Sequence, residues 1–225
     1  MSHNNKVVWS EGMFLRPQHF QQHARYAENF IEQRCSVLRT FPWLFHQLQL
    51  DQQLLGLGKI AISRASGVFP DGTPFSIPDD DEPPLAMDVP ENTHEAQVYL
   101  GLPLRRPGTP EVDSSGDPEG LARYQPVEYE IRDSSTVGGG EAGVQIGKLR
   151  TRLLLESDHL DEYACMSVAR IVEMRVDKSV LVDEHLLPPV LDCQALPGLC
   201  GFMTELHGLL NHRAEALAAR MAVSG

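Results

Sequence analysis

A mainly β protein is what the sequence predicts: an antiparallel, sandwich-like domain entered through one long helix and left through another. Three observations carry this. Short apolar or alternating runs of strand length recur between residues 59 and 185, separated by Pro, Gly and Asp. Apolar residues recur at three- and four-residue spacing from Phe20 to Leu38. A second such stripe runs from Phe202 to Met221.

The first element is a short extended run, Lys6 to Trp9, punctuated by Gly12 and passing into a helix that carries Pro17 in its first turn. Phe20, Ala24, Ala27, Ile31, Cys35 and Leu38 fall on one side of that helix, which predicts a buried stripe. Before it, Trp9, Met13, Phe14 and Leu15 crowd large apolar groups beside Glu11 and Arg16. A terminal segment of that composition frays unless it docks, either on its own domain or on a partner.

Phe41-Pro-Trp-Leu-Phe breaks the helix and opens a new element. Asp51 suits the cap of one short helical turn ending at Gly56 or Gly58. Lys59 to Phe69 alternates as a strand, Pro70-Asp-Gly makes the turn, and Thr73 to Ile77 returns as its hairpin partner. Pro78-Asp-Asp-Asp-Glu-Pro-Pro is an acidic, proline-bounded run; its acids are consecutive rather than alternate, and no turn glycine separates them, so it reads as a solvated loop and not a calcium loop. Ala96 to Leu104 is a compact apolar run of buried-strand type. Arg106 to Gly120 lacks periodicity and reads as an exposed, mobile insertion.

Pro126 to Arg132 alternates, placing Val127, Tyr129 and Ile131 on one face. Val137-Gly-Gly-Gly-Glu-Ala-Gly lacks the Gly-Lys-Ser/Thr ending of a phosphate loop and is followed by strand, so its glycines read as a flexible hairpin connection. Val144 to Leu155 and Cys165 to Val176 are β-rich, with a turn or short helix at Ser157 to Tyr163, and Val180 to His185 is a last short strand. About seven strands result. The β domain is expected to end near residue 190, where Pro188-Pro189 and Pro197-Gly198 punctuate the exit. Beyond it Phe202, Leu206, Leu209, Leu210, Leu217 and Met221 form the second stripe, and a single helix needs that stripe covered. With the chain stopping at Val223-Ser-Gly, a longer protein is expected.

Composition narrows the function. The net charge of -12, from 31 acidic and 19 basic residues, opposes the electrostatic attraction on which nucleic-acid binding depends. Met1 to Lys6 lacks the apolar run of a signal peptide, and no later stretch is long enough to span a bilayer, so a cytosolic protein without direct membrane insertion is expected. Cys35, Cys165, Cys193 and Cys200 show no CxxC spacing and are expected to be small core residues, although Cys193 and Cys200 can meet in space.

No constellation for catalysis emerges. His19 and His23 have the i, i+4 spacing of a metal pair, but residue 20 is Phe where a His-Glu-x-x-His motif has its base, and no third ligand is evident. Asp158, Asp161 and Glu162 near Tyr163 are paired acids of the kind common on surface turns. Cofactor and metal are expected to be none. Two function classes compete: an assembly scaffold with surfaces made for other chains, and a ligand-binding, carbohydrate-binding-like or hydrolytic β domain whose sugar platforms would have to be Trp9 and Trp43.

Four stretches carry a family resemblance: Trp9-Ser-Glu-Gly-Met-Phe-Leu-Arg-Pro-Gln-His-Phe-Gln-Gln-His23, Gly67 to Phe75, Leu149 to Glu156, and Val182 to Leu191. Together they resemble the TssK family, the trimeric baseplate subunit of the bacterial type VI secretion system. The resemblance implies that residues 1–190 are a shoulder domain similar to that of phage receptor-binding proteins. Residues 191–225 would start a helical neck, with a C-terminal head absent. It implies a structural, non-enzymatic connector, homotrimeric in its full length. Its shoulder would engage the TssF and TssG wedge proteins, and its head the membrane complex of TssL, TssM and TssJ. The expected wedge contact is Trp9, Met13, Phe14, Leu15, Arg16, His19 and Phe20, with the aromatic groups as anchors and Arg16 as directional donor. The expected trimer contact is Phe202, Leu206, Leu209, Leu210, Leu217 and Met221.

Overall fold

A computed structural model describes residues 4–113, 115–117, 120–135 and 140–223. Its elements are helix α1 (Pro17–Leu38), strand β1 (Leu44–Leu50), the one-turn helix α2 (Gln52–Leu55), strands β2 (Lys59–Ile60), β3 (Ile62–Val68), β4 (Pro74–Ile77), β5 (Met87–Asp88), β6 (His94–Pro103), β7 (Tyr124–Arg132), β8 (Glu141–Leu149), β9 (Arg152–Leu155), β10 (Tyr163–Met174) and β11 (Val180–Val182), and helix α3 (Pro197–Val223). The protein is mainly β, as its periodicities predict.

Two sheets build the core. One has the order β1-β3-β4 and the other β11-β10-β6-β9, all neighbours antiparallel. Buried side chains from both sheets, including Phe45, Phe75, Val98, Leu100, Met166 and Ile171, form one cluster. Phe69, fully buried at the hairpin turn, packs against Phe75 with ring centroids 4.6 Å apart and the rings tilted by 41°. The hairpin follows its turn chemistry: Gly72 takes φ 82°, which suits glycine, and Thr73 N donates to Asp71 Oδ1. Asp51 caps α2 by accepting from Gln53 N and Leu54 N.

Several expectations are corrected. The predicted strand from Lys59 divides at Ala61, and β2 pairs with β5 in a separate small sheet. The β-rich stretch up to Leu155 also divides. Its first part, β8, pairs only with β7 in a two-stranded ribbon, and at Arg150-Thr151 the chain leaves that ribbon to join the larger sheet as β9. The glycine run joining β7 to β8 includes residues 136–139, which lie outside the described residues.

The acidic run is not merely solvated, because Asp81 is buried and its carboxylate accepts from Leu149 N, tying the run to the foot of β8. Nor is residue range 106–120 free where it is described. Arg123 N and Tyr124 N both donate to Glu111 O, and Asp113 pairs with Arg150 at 2.9 Å. Ser115, through its hydroxyl and N–H, and then Arg150 hold the Asp113 carboxyl below its ordinary value. The cysteines are mostly not core residues. Cys35, Cys193 and Cys200 are exposed on or beside helices that the core does not cover. Only Cys165 is half-buried, and burial pushes its thiol up to about 11.

A buried arginine, which no periodicity announces, locks the base of the ribbon. Arg123 is 1% exposed and donates to Asp71 Oδ2 at 2.6 Å, to Thr73 Oγ1 and to Pro103 O at 2.7 Å. It thus joins the β3–β4 turn, the end of β6 and the start of β7.

Candidate docking surfaces

Helix α1 starts where the sequence places it. Arg16, just before Pro17, is extended at φ -132° and ψ 156°, the conformation a following proline favours. The Arg16 N–H donates to His19 Nδ1 at 3.0 Å, and His19 N donates back to Arg16 O. His19 therefore serves the helix start as an acceptor.

The segment before α1 folds back on its first turns. Gly12, at φ 77°, makes the reversal, in which Met13 N donates to Ser10 O. Gln22 Nε2 reaches Asn5 O at 2.7 Å. The Trp9 ring lies 6.3 Å from those of His19 and Phe20 and 6.1 Å from that of His23, centroid to centroid. Trp9 thus packs on its own helix rather than on the β domain, and it remains 46% exposed. Phe14 is 84% exposed, and Leu15 and Phe20 are more than half exposed. Met13 and His19 are half-buried. The structure brings Trp9, His19 and Phe20 together and leaves Phe14, Leu15 and Arg16 standing outward.

The expected buried stripe on α1 is not buried: no residue of the helix is. Its half-covered positions are His19, Gln22, Arg25, Tyr26, Ala27, Asn29 and Glu32. At about 100° per residue all of these except Ala27 lie on the side away from Phe20, Ala24, Ile31, Cys35 and Leu38. The polar side faces the domain. Glu28 pairs with Arg105, which also donates to the Tyr124 hydroxyl, and Glu32 lies against the Gly72 turn. Between helix and domain is a polar cleft of about 820 Å³, lined by Arg25, Asn29, Glu32, Asp71 and Arg105 among others. The apolar stripe therefore points away from the β domain, and Ile31 and Leu38 are largely exposed. Periodicity reveals that a helix has an apolar face, but not which way the face points.

Helix α3 forms as predicted, as one continuous element from Pro197. Phe202, Leu206, Leu209, Leu210, Leu217 and Met221 span a sector of about 120°, and all are exposed. Met203 lies at the edge of the sector, in line with Met221, and Arg213 falls inside it. At its foot an apolar groove of about 480 Å³ opens between Leu48, Val168, Val182, Leu186, Leu199 and Phe202.

The catalytic candidates do not converge. Asp158 is engaged as a turn acceptor for Leu155 N at 2.8 Å, and Trp43 is partly buried against the core beside Phe41. Among the described residues no group of three or more His, Cys, Asp or Glu could hold a metal ion, and no helix is long and apolar enough to cross a membrane.

Comparison with known proteins agrees with this geometry. A family model described as "Bacterial Type VI secretion, VC_A0110, EvfL, ImpJ, VasE" matches residues 19–225. The type VI secretion system baseplate component TssK1 of Pseudomonas aeruginosa is 51% identical over 224 residues, covering 100% of this chain and 50% of that protein. A crystal structure of TssK superposes with a TM-score of 0.90 at 41% identity, over 97% of this chain and 49% of that one. A chain of a TssK-TssF-TssG baseplate subcomplex, solved by cryo-electron microscopy, shares the fold at a TM-score of 0.85 and 22% identity, over 96% of this chain and 72% of that one. The chain spans about half the length of the curated relative it matches.

Proposed function

The chain belongs to the type VI secretion family that includes TssK, and from that membership we propose that it is the N-terminal part of a baseplate subunit, a structural connector rather than an enzyme. The observation that carries this reading is the orientation of α1. A helix that sets its polar side on its own domain and its apolar stripe outward, continuous with Trp9, Phe14, Leu15 and Phe20, is built to be covered by another chain. Relatives of this fold occur in a complex titled for TssF and TssG, so TssF and TssG are the proposed partners of this surface.

Residues 1–190 form the proposed shoulder and residues 191–225 the first neck helix. The uncovered α3 stripe supports a homotrimer in which three such helices pack about an axis. Contact with the membrane complex is assigned to the half of the family's length that lies outside this chain. Its proposed site of action is the cytoplasmic side of the inner membrane.

Co-purification of the full-length protein with a TssF–TssG complex tests this reading. A stable complex that survives gel filtration is expected. Failure of the intact, folded protein to bind either partner would contradict it.

A further inference from the structure

Resting on the wedge reading, we propose that Arg105 is a positioning residue for the docking surface: its ion pair with Glu28, and not packing, sets the direction in which α1 and the segment before it are presented. Segment and helix form one arm. Gln22 Nε2 donates to Asn5 O, and the Trp9 ring lies beside those of His19, Phe20 and His23, so Phe14, Leu15 and Arg16 are carried wherever the helix points. The arm leaves the β domain through Arg39, extended at φ -139° and ψ 140°, and Phe41, which is 61% exposed. Trp43 is the first side chain after the helix to pack on the core.

Little else holds the arm. No residue of α1 is buried, and none belongs to the core cluster or packs against it. The polar cleft lies between helix and domain, and the α1 side chains beside it are mostly spent on their own helix: Arg25 donates to Gln22 Oε1, and Tyr26 stacks on Phe30. Among the described residues, Glu28 with Arg105 is the one ion pair between α1 and the β domain. Arg105 suits the task because it is itself held. Its guanidinium also donates to the Tyr124 hydroxyl at 3.0 Å and lies 3.9 Å from Glu111 Oε2. Tyr124 follows Arg123, which is fixed in the core, so the latch refers the arm to a rigid part of the domain. Glu28 is 51% exposed and Arg105 34%. A pair that exposed is weak and screened by salt. The arm is thus aimed before a partner arrives, which lowers the ordering cost of binding, yet it is not locked.

Hydrogen exchange of the full-length protein, read by mass spectrometry, tests the latch. Glu28→Ala and Arg105→Ala should each speed exchange of the α1 amides about two- to fivefold, the span expected for losing a partly exposed ion pair, while the strands exchange as in wild type. Alanine is the stronger helix former, so faster exchange in Glu28→Ala reports an undocked arm and not a weaker helix. The double variant should exchange no faster than either single one, because both changes remove the same interaction. Raising salt from about 0.1 M to about 1 M should loosen α1 in wild type and leave the variants as they are. Both variants should also bind a TssF–TssG complex about two- to fivefold more weakly than wild type. Wild-type exchange in both single variants, additive losses in the double variant, or a salt response that survives in the variants overturns the latch. Faster exchange with wild-type affinity overturns the positioning role. A wild-type protein that binds neither partner removes the wedge reading and the positioning role with it, and the exchange data still decide the latch.

Discussion

Replacing Asp71 with alanine will destabilise the protein by about 3–5 kcal/mol, the range found when one partner of a buried ion pair is removed. Arg123 is 1% exposed, and its guanidinium sits 2.6 Å from the Asp71 carboxylate. Without Asp71, the guanidinium retains only neutral acceptors, Thr73 Oγ1 and Pro103 O. The turn also loses the bond from Thr73 N. For a chain of this length each kcal/mol shifts the melting temperature by roughly 2–4 °C, so thermal unfolding should move down by about 6–20 °C. Arg123→Met, which removes the charge and keeps much of the volume, should cost clearly less than Asp71→Ala. Equal losses from both variants, or a melting temperature within about 2 °C of wild type for Asp71→Ala, would show that the pair does not lock the ribbon base.

The second large effect concerns α3 and the proposed homotrimer. If three α3 helices pack together as proposed, Leu206→Glu together with Leu210→Glu should leave the full-length protein monomeric at concentrations where wild type assembles. Both side chains lie within the apolar sector and are exposed in the single chain, so the folded monomer tolerates them. In a bundle the two carboxylates would be desolvated in every copy, at several kcal/mol each. Roughly 4 kcal/mol already corresponds to a thousandfold loss of association. Sedimentation velocity, with circular dichroism to confirm unchanged helix and strand content, decides it. A trimer that persists in the double variant would place the assembly contacts elsewhere than α3.

Much of this fold is legible in its residues, for identifiable reasons. Where local chemistry decides, expectation and structure agree. Asp51 caps its helical turn, Pro70-Asp-Gly reverses the hairpin, and the alternation of Val127, Tyr129 and Ile131 becomes one face of a strand. Where tertiary context decides, they part. An apolar stripe on α1 says that something must cover it, and the burial pattern shows that its own domain does not. Arg123 resembles any surface arginine until the fold brings Asp71, Thr73 and Pro103 around it from 52, 50 and 20 residues away. Asp81 sits in a run that looks fully solvated, yet alone among the run's acids it turns inward, to meet Leu149. Strand breaks at Ala61 and Arg150-Thr151 carry no Gly or Pro, so the change of sheet leaves no local mark. Of the candidate docking residues, the structure exposes Phe14, Leu15 and Arg16 and ties Trp9 and His19 into the helix start. That division could not be read from composition.

It also sharpens the central claim, that the N-terminal segment is the docking element for the TssF–TssG wedge. Phe14 is the most exposed aromatic group of the segment, while Arg16 keeps its guanidinium free of any ion pair among the described residues. Neither side chain supports the core, so truncating either should leave the protein folded. Buried aromatic and arginine anchors typically lose 2 kcal/mol or more on truncation, close to thirtyfold in affinity. The direct measurement is the affinity of the full-length protein for a TssF–TssG complex, by calorimetry or by co-purification at graded concentration. Wild type is to be compared with Phe14→Ala and Arg16→Ala, each checked by circular dichroism. The account predicts tight binding by wild type and losses of about thirtyfold or more in both folded variants. Wild-type affinity in both variants would contradict it.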